Sequence, residues 1–343
     1  MVKKELNGMG LKQLKNYMDS IGEKKFRGEQ LFTHFHKHNR WDLDELNVLP
    51  EALREKLKND ADIIQIKMVE RFDSKIDATK KYLFSLEDDN IIESVAMEYK
   101  HGTTVCISTQ VGCKMGCSFC ASTKDGLIRD LKPSEMLNQI YMIEKDLDVS
   151  ISNIVLMGSG EPLDNYENTV KFLKIIHDEM GHNISYRNIT ISTCGIVPKI
   201  YKLADEKIPV TLSVSLHSAF DSERKKIMPI ANRYSIKEII EACKYYENIN
   251  NRRITFEYTL IDGVNDRKED IEEIARLLKD INSHVNLIPL NPIKEYEEDR
   301  STKSNIDSFE RGLIKRNIDV TVRREMGADI SASCGQLRRS VIE

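Results

Sequence analysis

The chain is short of several things, and each shortage narrows what it can be. No segment approaches the ~20 consecutive apolar residues of a membrane-spanning helix. The opening Met1-Val2-Lys3-Lys4-Glu5-Leu6-Asn7 is followed by no apolar run of signal-peptide length. A cytoplasmic protein with no membrane partner is therefore expected. There is no internal repeat and no low-complexity tract. Neither sign of charge dominates: 51 Lys and Arg against 55 Asp and Glu give a net charge of −4. That total neither supports nor excludes nucleic acid, because local patches decide binding. Two patches stand out, Lys24, Lys25 and Arg27, and Arg252 with Arg253. Each is either a solvated face or a contact for a polyanion. The seven cysteines are an odd number, which argues against a secreted disulfide framework and for a reducing compartment. Tryptophan occurs once, at Trp41. It reads as core of a small domain rather than as a platform for a stacked base.

What is present is ample for a large core: 343 residues, 40% hydrophobic and 31% charged. Residues 1–75 read as an N-terminal helical unit. Leu11, Leu14, Tyr17 and Met18 recur at helical spacing, as do Leu31, Phe32 and Phe35, followed by Leu43, Leu46 and Leu53. The segment from Glu23 to Gln30 opens the second helix and carries the first basic patch. Residues 76–98 suit a hairpin, with strands over 82–86 and 91–97 joined by Glu87-Asp88-Asp89-Asn90. From residue 99 onward strands alternate with amphipathic helices. Strands are expected over 104–108, 153–157, 188–193, 210–216, 254–260, 285–289 and 320–323. Helices are expected after Pro133-Ser134, around Val170 to His177, and over 198–206, 236–246, 269–278 and 308–316. Such alternation implies an α/β fold with a parallel sheet, closed wholly or partly into a (β/α) barrel. In barrels of this kind chemistry gathers at the C-terminal ends of the strands.

The motifs fall at those ends. Cys113, Cys117 and Cys120 spell C-x-x-x-C-x-x-C in the loop after the first parallel strand. Three thiolates this close can hold three irons of a four-iron cluster and leave one iron open to a small molecule. The competing reading is a structural zinc site, with Cys106 as the fourth ligand. Met157-Gly158-Ser159-Gly160-Glu161-Pro162-Leu163 follows the second strand; its glycines let backbone approach a ligand, and Glu161 can accept from an amino group. Ser192, then Ser215-Leu216-His217, then Asn291 end successive strands, a ring of small polar groups around a polar ligand. His217 alone would as readily be a satisfied structural histidine. Cys334 lies beyond the last strand in Ser333-Cys334-Gly335-Gln336-Leu337. Cys194 and Cys243 read as structural.

The cysteine spacing resembles the radical S-adenosylmethionine (SAM) signature, and the motifs in this order resemble the RlmN family of radical SAM RNA methyltransferases. The resemblance runs from about residue 90 to the C-terminus and covers the N-terminal helices weakly. It implies a radical SAM type of partial (β/α) barrel, with a [4Fe–4S] cluster on Cys113, Cys117 and Cys120. It implies SAM contacts at Gly160, Glu161, Ser192, Ser215, Leu216, His217 and Asn291. It further implies a methyl-carrying Cys334, a resolving Cys106 and a general base at Glu93. This chain departs from the family's common pattern at Ser159, Ser331 and Ser333, none of which carries an assigned chemical role.

What the resemblance implies for function is methylation of adenine C2 in 23S ribosomal RNA and in transfer RNA. That carbon lies between two ring nitrogens and is too electron-poor to displace a methyl group from a sulfonium, so the route is radical. Two SAM molecules are used per turnover. A methyl-cysteine at Cys334 leads to a covalent protein–RNA adduct, released as a Cys106–Cys334 disulfide forms. A reducing donor such as flavodoxin or ferredoxin and a monomeric state complete the expectation. Three rivals remain open: methylation of adenine C8 by the same apparatus, a glycyl-radical activase, and a zinc-ribbon RNA-binding module.

Overall fold

The computed structural model describes residues 3–338. A short strand β1 (Lys4–Glu5) leads to α1 (Leu11–Ser20), α2 (Phe26–His36), a 3₁₀ turn at Leu43–Glu45, α3 (Glu51–Asp60) and β2 (Ala61–Asp62), which pairs with β1. Leu14, Tyr17 and Met18 of α1, and Leu31, Phe32 and Phe35 of α2, are buried as their spacing requires. The two helices meet closely at Gly28, where a Cβ would stand 2.6 Å from the Lys15 main-chain nitrogen.

Next comes an antiparallel meander, β3 (Lys67–Asp73), β4 (Lys80–Ser85), β5 (Ile91–Tyr99) and β6 (Gly102–Cys106). Strands β4 and β5 are the expected hairpin. Strand β3 was not expected, and the reason is its position. It is the edge of the sheet, almost wholly solvated along its length, so it shows no apolar alternation.

A small hairpin, β7 (Gln110–Gly112) with β8 (Leu127–Asp130), then frames the loop that carries the cysteines. The remainder alternates: α4 (Pro133–Leu147), β9 (Ile151–Leu156), α5 (Tyr166–His177), β10 (Ile189–Thr193), α6 (Val197–Asp205) and β11 (Thr211–Ser215). It continues with α7 (Asp221–Ile227), α8 (Ile236–Asn250), β12 (Ile254–Leu260), α9 (Lys268–Leu278), β13 (Ser283–Pro289), α10 (Lys303–Ile314) and β14 (Val320–Val322).

The main sheet has ten strands in the order β14-β13-β12-β11-β10-β9-β6-β5-β4-β3. Strand β6 is the pivot, parallel to β9 on one side and antiparallel to β5 on the other. The seven expected parallel strands are all present, with ends differing by at most two residues. Among the described residues no pairing joins β14 to β3, so the barrel is open. Local signals agree with the elements. Ser235 caps α8 and receives Glu238 in return, and Thr302 caps α10 several residues before that helix was expected to begin.

Helix α4 is buried on nearly every side because it lies between the sheet and the N-terminal helices. Its buried Glu144 joins three segments. Oε2 accepts from Asn39 Nδ2 at 2.9 Å, Oε1 accepts from the Ile151 N–H at 2.8 Å, and His182 Nε2 stands 2.7 Å from Oε1. Trp41 is half-buried, 6.3 Å ring to ring from Tyr141 of α4. It therefore covers the joint between the helical unit and the barrel. Replacing Glu144 with Ala strands these donors, and should lower stability by about 2 kcal/mol. The check is a lower thermal midpoint of the full-length protein.

Candidate active site

The loop between β7 and β8 is held from both ends. The Cys113 N–H donates to Gly126 O at 3.0 Å, and the Ser118 N–H donates to Ile227 O of α7 at 3.0 Å. Thr123 Oγ1 donates to the carbonyls of Cys117 and Cys120. Cys117 and Cys120 open onto a pocket at the C-terminal rim of the parallel strands, while Cys113 lies buried in the same loop. Burial pushes the Cys113 thiol up to about 12 and raises Cys117 and Cys120 as well, with the neighbouring cysteines adding to the effect. Buried sulfurs that resist ionisation alone are a fitting donor set for iron ions, whose positive charge offsets the negative charge of the thiolates.

The zinc reading is not borne out. Cys106 sits on β6, packed with Val95, Met97, Met326 and Leu337, and lines a separate chamber. Among the described residues no three His, Cys, Asp or Glu side chains converge closely enough for a single metal ion.

The turn after β9 forms the pocket floor. Gly160 has φ +106°, and a Cβ there would meet Gln110 at 2.6 Å. The Thr109 and Gln110 N–H groups both donate to Ser159 O, clamping the turn onto the loop before β7. Glu161 is buried. Its Oε2 accepts from the Cys194 N–H at 2.7 Å and its Oε1 from the Leu163 N–H at 3.0 Å. Burial pushes its carboxyl up, and the two N–H donors oppose that. Glu161 also lines the pocket, where an ammonium group of a ligand can meet its carboxylate.

Ser192 and Ser215 line the same pocket from the ends of β10 and β11. His217 lines it too, with φ +52°, and its Nδ1 accepts from the Thr259 N–H at 2.9 Å. That assignment leaves the proton on Nε2. Burial lowers its pKa to about 3, so the ring is neutral at physiological pH. Leu216 does not line the pocket. It serves through its main chain, with N–H to Glu257 O and its own carbonyl to Arg224.

The C-terminal segment crosses this rim. Asn291 Nδ2 donates to Cys334 O at 2.9 Å, the Ala121 N–H to Gly335 O at 2.7 Å, and Ser122 Oγ to Leu337 O at 2.5 Å. The Arg338 N–H donates to Glu93 Oε2 at 2.9 Å, and Lys81 Nζ lies 3.5 Å from Glu93 Oε1. Cys334 thereby lines both the rim pocket and the chamber that holds Cys106. Burial, and then Cys334, pushes the Cys106 thiol up to about 12. The expected disulfide is not formed here: all seven cysteines are free.

Two charged residues in this region were not anticipated. Arg323 lines both cavities, and Nη1 is 3.7 Å from Glu257 Oε2. Glu257 in turn accepts from Ser213 Oγ and Asn286 Nδ2. A lone glutamate inside the apolar run Ile254-Thr255-Phe256-Glu257-Tyr258 was the available signal, because a strand buried on both faces tolerates few charges. Of the basic patches, Arg252 and Arg253 are engaged with Thr211 and Asp319. Arg27 donates to Val48 O, while Lys24 and Lys25 are exposed.

A pocket that Cys117 and Cys120 line, with Cys113 buried in the same loop, at the rim of an open parallel sheet, is the arrangement of a radical SAM enzyme. The radical SAM superfamily model matches residues 107–278, and a ribosomal RNA large subunit methyltransferase N-terminal domain model matches residues 4–63. A Clostridioides difficile protein named a probable dual-specificity RNA methyltransferase RlmN is 54% identical over 95% of each chain. One of the same name from Lachnospira eligens is 51% identical over 99% of this chain and 97% of its own. The crystal structure of a radical SAM methyltransferase from Sphaerobacter thermophilus superposes with a TM-score of 0.92 at 42% identity, covering 97% of this chain and 99% of that one. The chain belongs to the RlmN family of radical SAM RNA methyltransferases.

Replacing Gly160 with Ala forces a side chain into positive φ and into Gln110. SAM affinity should fall at least ~10-fold, or about 1.4 kcal/mol, while the protein stays folded. Equilibrium binding by the reconstituted protein checks it.

Proposed function

We propose that the chain methylates C2 of an adenine in 23S ribosomal RNA, and an adenine of transfer RNA, by way of a methyl group carried on Cys334. The observation that carries this reading is the position of Cys334, the only cysteine lining both the rim pocket and the chamber of Cys106. That the relatives are named dual-specificity RNA methyltransferases supports two kinds of RNA substrate.

Cys113, Cys117 and Cys120 would hold a [4Fe–4S] cluster, and the rim pocket beside them would take SAM. When bound they supply the transferable methyl group and the one-electron chemistry. The protein's own residues do the rest. Glu161 holds the amino group of SAM; Ser192, Ser215, His217 and Asn291 surround the remainder of the molecule. Asn291 also fixes the Cys334 carbonyl, so one residue sets the methyl acceptor against the methyl donor. The Cys334 thiolate takes the methyl by displacement at the sulfonium, the nucleophilic reaction a thiolate performs well. The one-electron chemistry that the cofactors would supply takes a hydrogen atom from the Cys334 S-methyl group; as that carbon joins adenine C2, the adduct returns one electron to the cofactors and Glu93 accepts the C2 proton. The Cys106 thiolate then attacks Cys334 Sγ. The sulfur–carbon bond breaks, the carbon takes up a proton as the product methyl group, and a disulfide forms. An external thiol reductant returns both cysteines to the free state seen here.

Lys24 and Lys25 hold the RNA backbone, and an electron donor of the flavodoxin or ferredoxin class reduces the cluster. A reducing cytoplasm suits a protein whose cysteines must cycle.

Anaerobic incubation with SAM, reductant and protein-free ribosomal RNA should give 2-methyladenosine by mass spectrometry of the nucleosides. 8-Methyladenosine would assign the sister regiochemistry, and no methylated adenine would overturn the reading. Cys334→Ala should carry no methyl and make no product. Cys106→Ala should accumulate protein crosslinked to RNA; multiple turnovers by that variant would remove Cys106 from the resolving role.

A further inference from the structure

Arg224 is fully buried on α7, yet it lines neither cavity. Its Nε donates to Leu216 O at 3.0 Å, and its Nη2 donates to Cys194 O at 2.8 Å and Ser215 O at 2.9 Å. The guanidinium therefore ties the ends of β10 and β11 together behind the pocket wall. Nη1 is buried with no hydrogen-bond partner. An unpaired donor on a buried cation is expensive and calls for an explanation.

The surroundings supply one. Helix α7 packs on the cysteine loop through the Ser118 N–H to Ile227 O bond, and Cys117, Cys194, Ile227 and Met228 form one buried cluster. Arg224 holds the carbonyl of Cys194, which packs with Cys117 in that cluster, and both cysteines lie within electrostatic reach of the guanidinium. Burial keeps Cys194 protonated. Cys117 becomes anionic once it ligates iron.

We propose that Arg224, through its free Nη1, is the fixed cation facing the cluster at Cys117, and that it makes the cluster easier to reduce. Three thiolates and the sulfides give the cluster a negative charge that grows when one electron is added. A cation held nearby in a water-poor setting stabilises the reduced form more than the oxidised one, and so raises the midpoint potential. The carboxylate of SAM is a poorer partner, because Arg224 is not part of the pocket wall. The inference rests on the cluster reading given above.

The test is the midpoint potential of the full-length, anaerobically reconstituted protein without RNA, followed by electron paramagnetic resonance. Iron and sulfide are measured on each sample. Arg224→Met should move the midpoint to a more negative value by at least a tenfold change in the reduced-to-oxidised ratio, ~59 mV for one electron. Arg224→Lys keeps the charge but loses the Nη1 geometry and should fall between Arg224→Met and wild type. A wild-type midpoint in either variant that holds its full iron and sulfide overturns the proposal, even if SAM affinity drops. If Arg224→Met takes up no iron, Arg224→Lys decides by the same criterion. Wild-type protein that binds no iron and sulfide would instead sink the cluster reading itself.

Discussion

Everything the site can do depends on how residues 333–338 are pinned across the barrel rim. The anchors come from separate places: Asn291 after β13, Ala121 and Ser122 after the cysteine loop, and Glu93 on β5. Most are contacts to main chain, so they fix the path of the segment whatever its side chains do. The result is that a thiol distant in sequence from the cysteine loop is held at the mouth of the pocket. Positioning of this kind can supply a large share of a rate enhancement, since it replaces an encounter with a standing geometry. It also explains why a segment with no strand or long helix of its own is ordered: its backbone groups are satisfied by the rim it crosses.

Charge is distributed unevenly around that rim. The proposed methyl acceptor and resolving thiol share a chamber with Arg323, whose guanidinium is balanced by Glu257 inside the barrel. Glu257 is held in turn by Ser213 and Asn286, so the barrel interior contains a short polar column rather than apolar packing alone. Buried charges of this kind are costly unless each is paired, and here the pairing runs across several strands. His217 is the opposite case. Its ring is kept neutral by burial and its Nδ1 is occupied by Thr259, leaving an uncharged donor facing the pocket.

Much of this architecture could be read from residue patterns, and the exceptions are instructive. Parallel strands announced themselves as short apolar runs between amphipathic helices, and the cysteine spacing and Gly-Ser-Gly-Glu turn marked the rim. Strand β3 escaped notice because an edge strand solvated on both faces has no alternation to detect. Helix α7 escaped because Asp221-Ser222-Glu223-Arg224-Lys225-Lys226-Ile227 is short and almost entirely polar. A polar heptapeptide reads as a loop, yet its arginine is fully buried. Arg224, Arg323 and Glu257 share this trait. Their burial is set by residues far away in the chain, so periodicity and spacing carry no trace of it. Leu216 shows the converse: a position matched on family pattern contributes only its peptide groups.

The strand ladder ends at β14, before the segment bearing Cys334 begins. Scaffold and cargo arm are thus separable. Cys106 rides on the pivot strand of the sheet and cannot shift without disturbing its neighbours, whereas its partner thiol hangs on a strap fastened from outside. In the proposed sulfur exchange it is the strap that must shift, and its bonds to Asn291, Ala121 and Ser122 couple that shift to the pocket and to the cysteine loop. Under the proposed chemistry the same division carries a hazard: a barrel whose strap came loose would keep its cysteine loop and pocket while having nowhere to send the carbon.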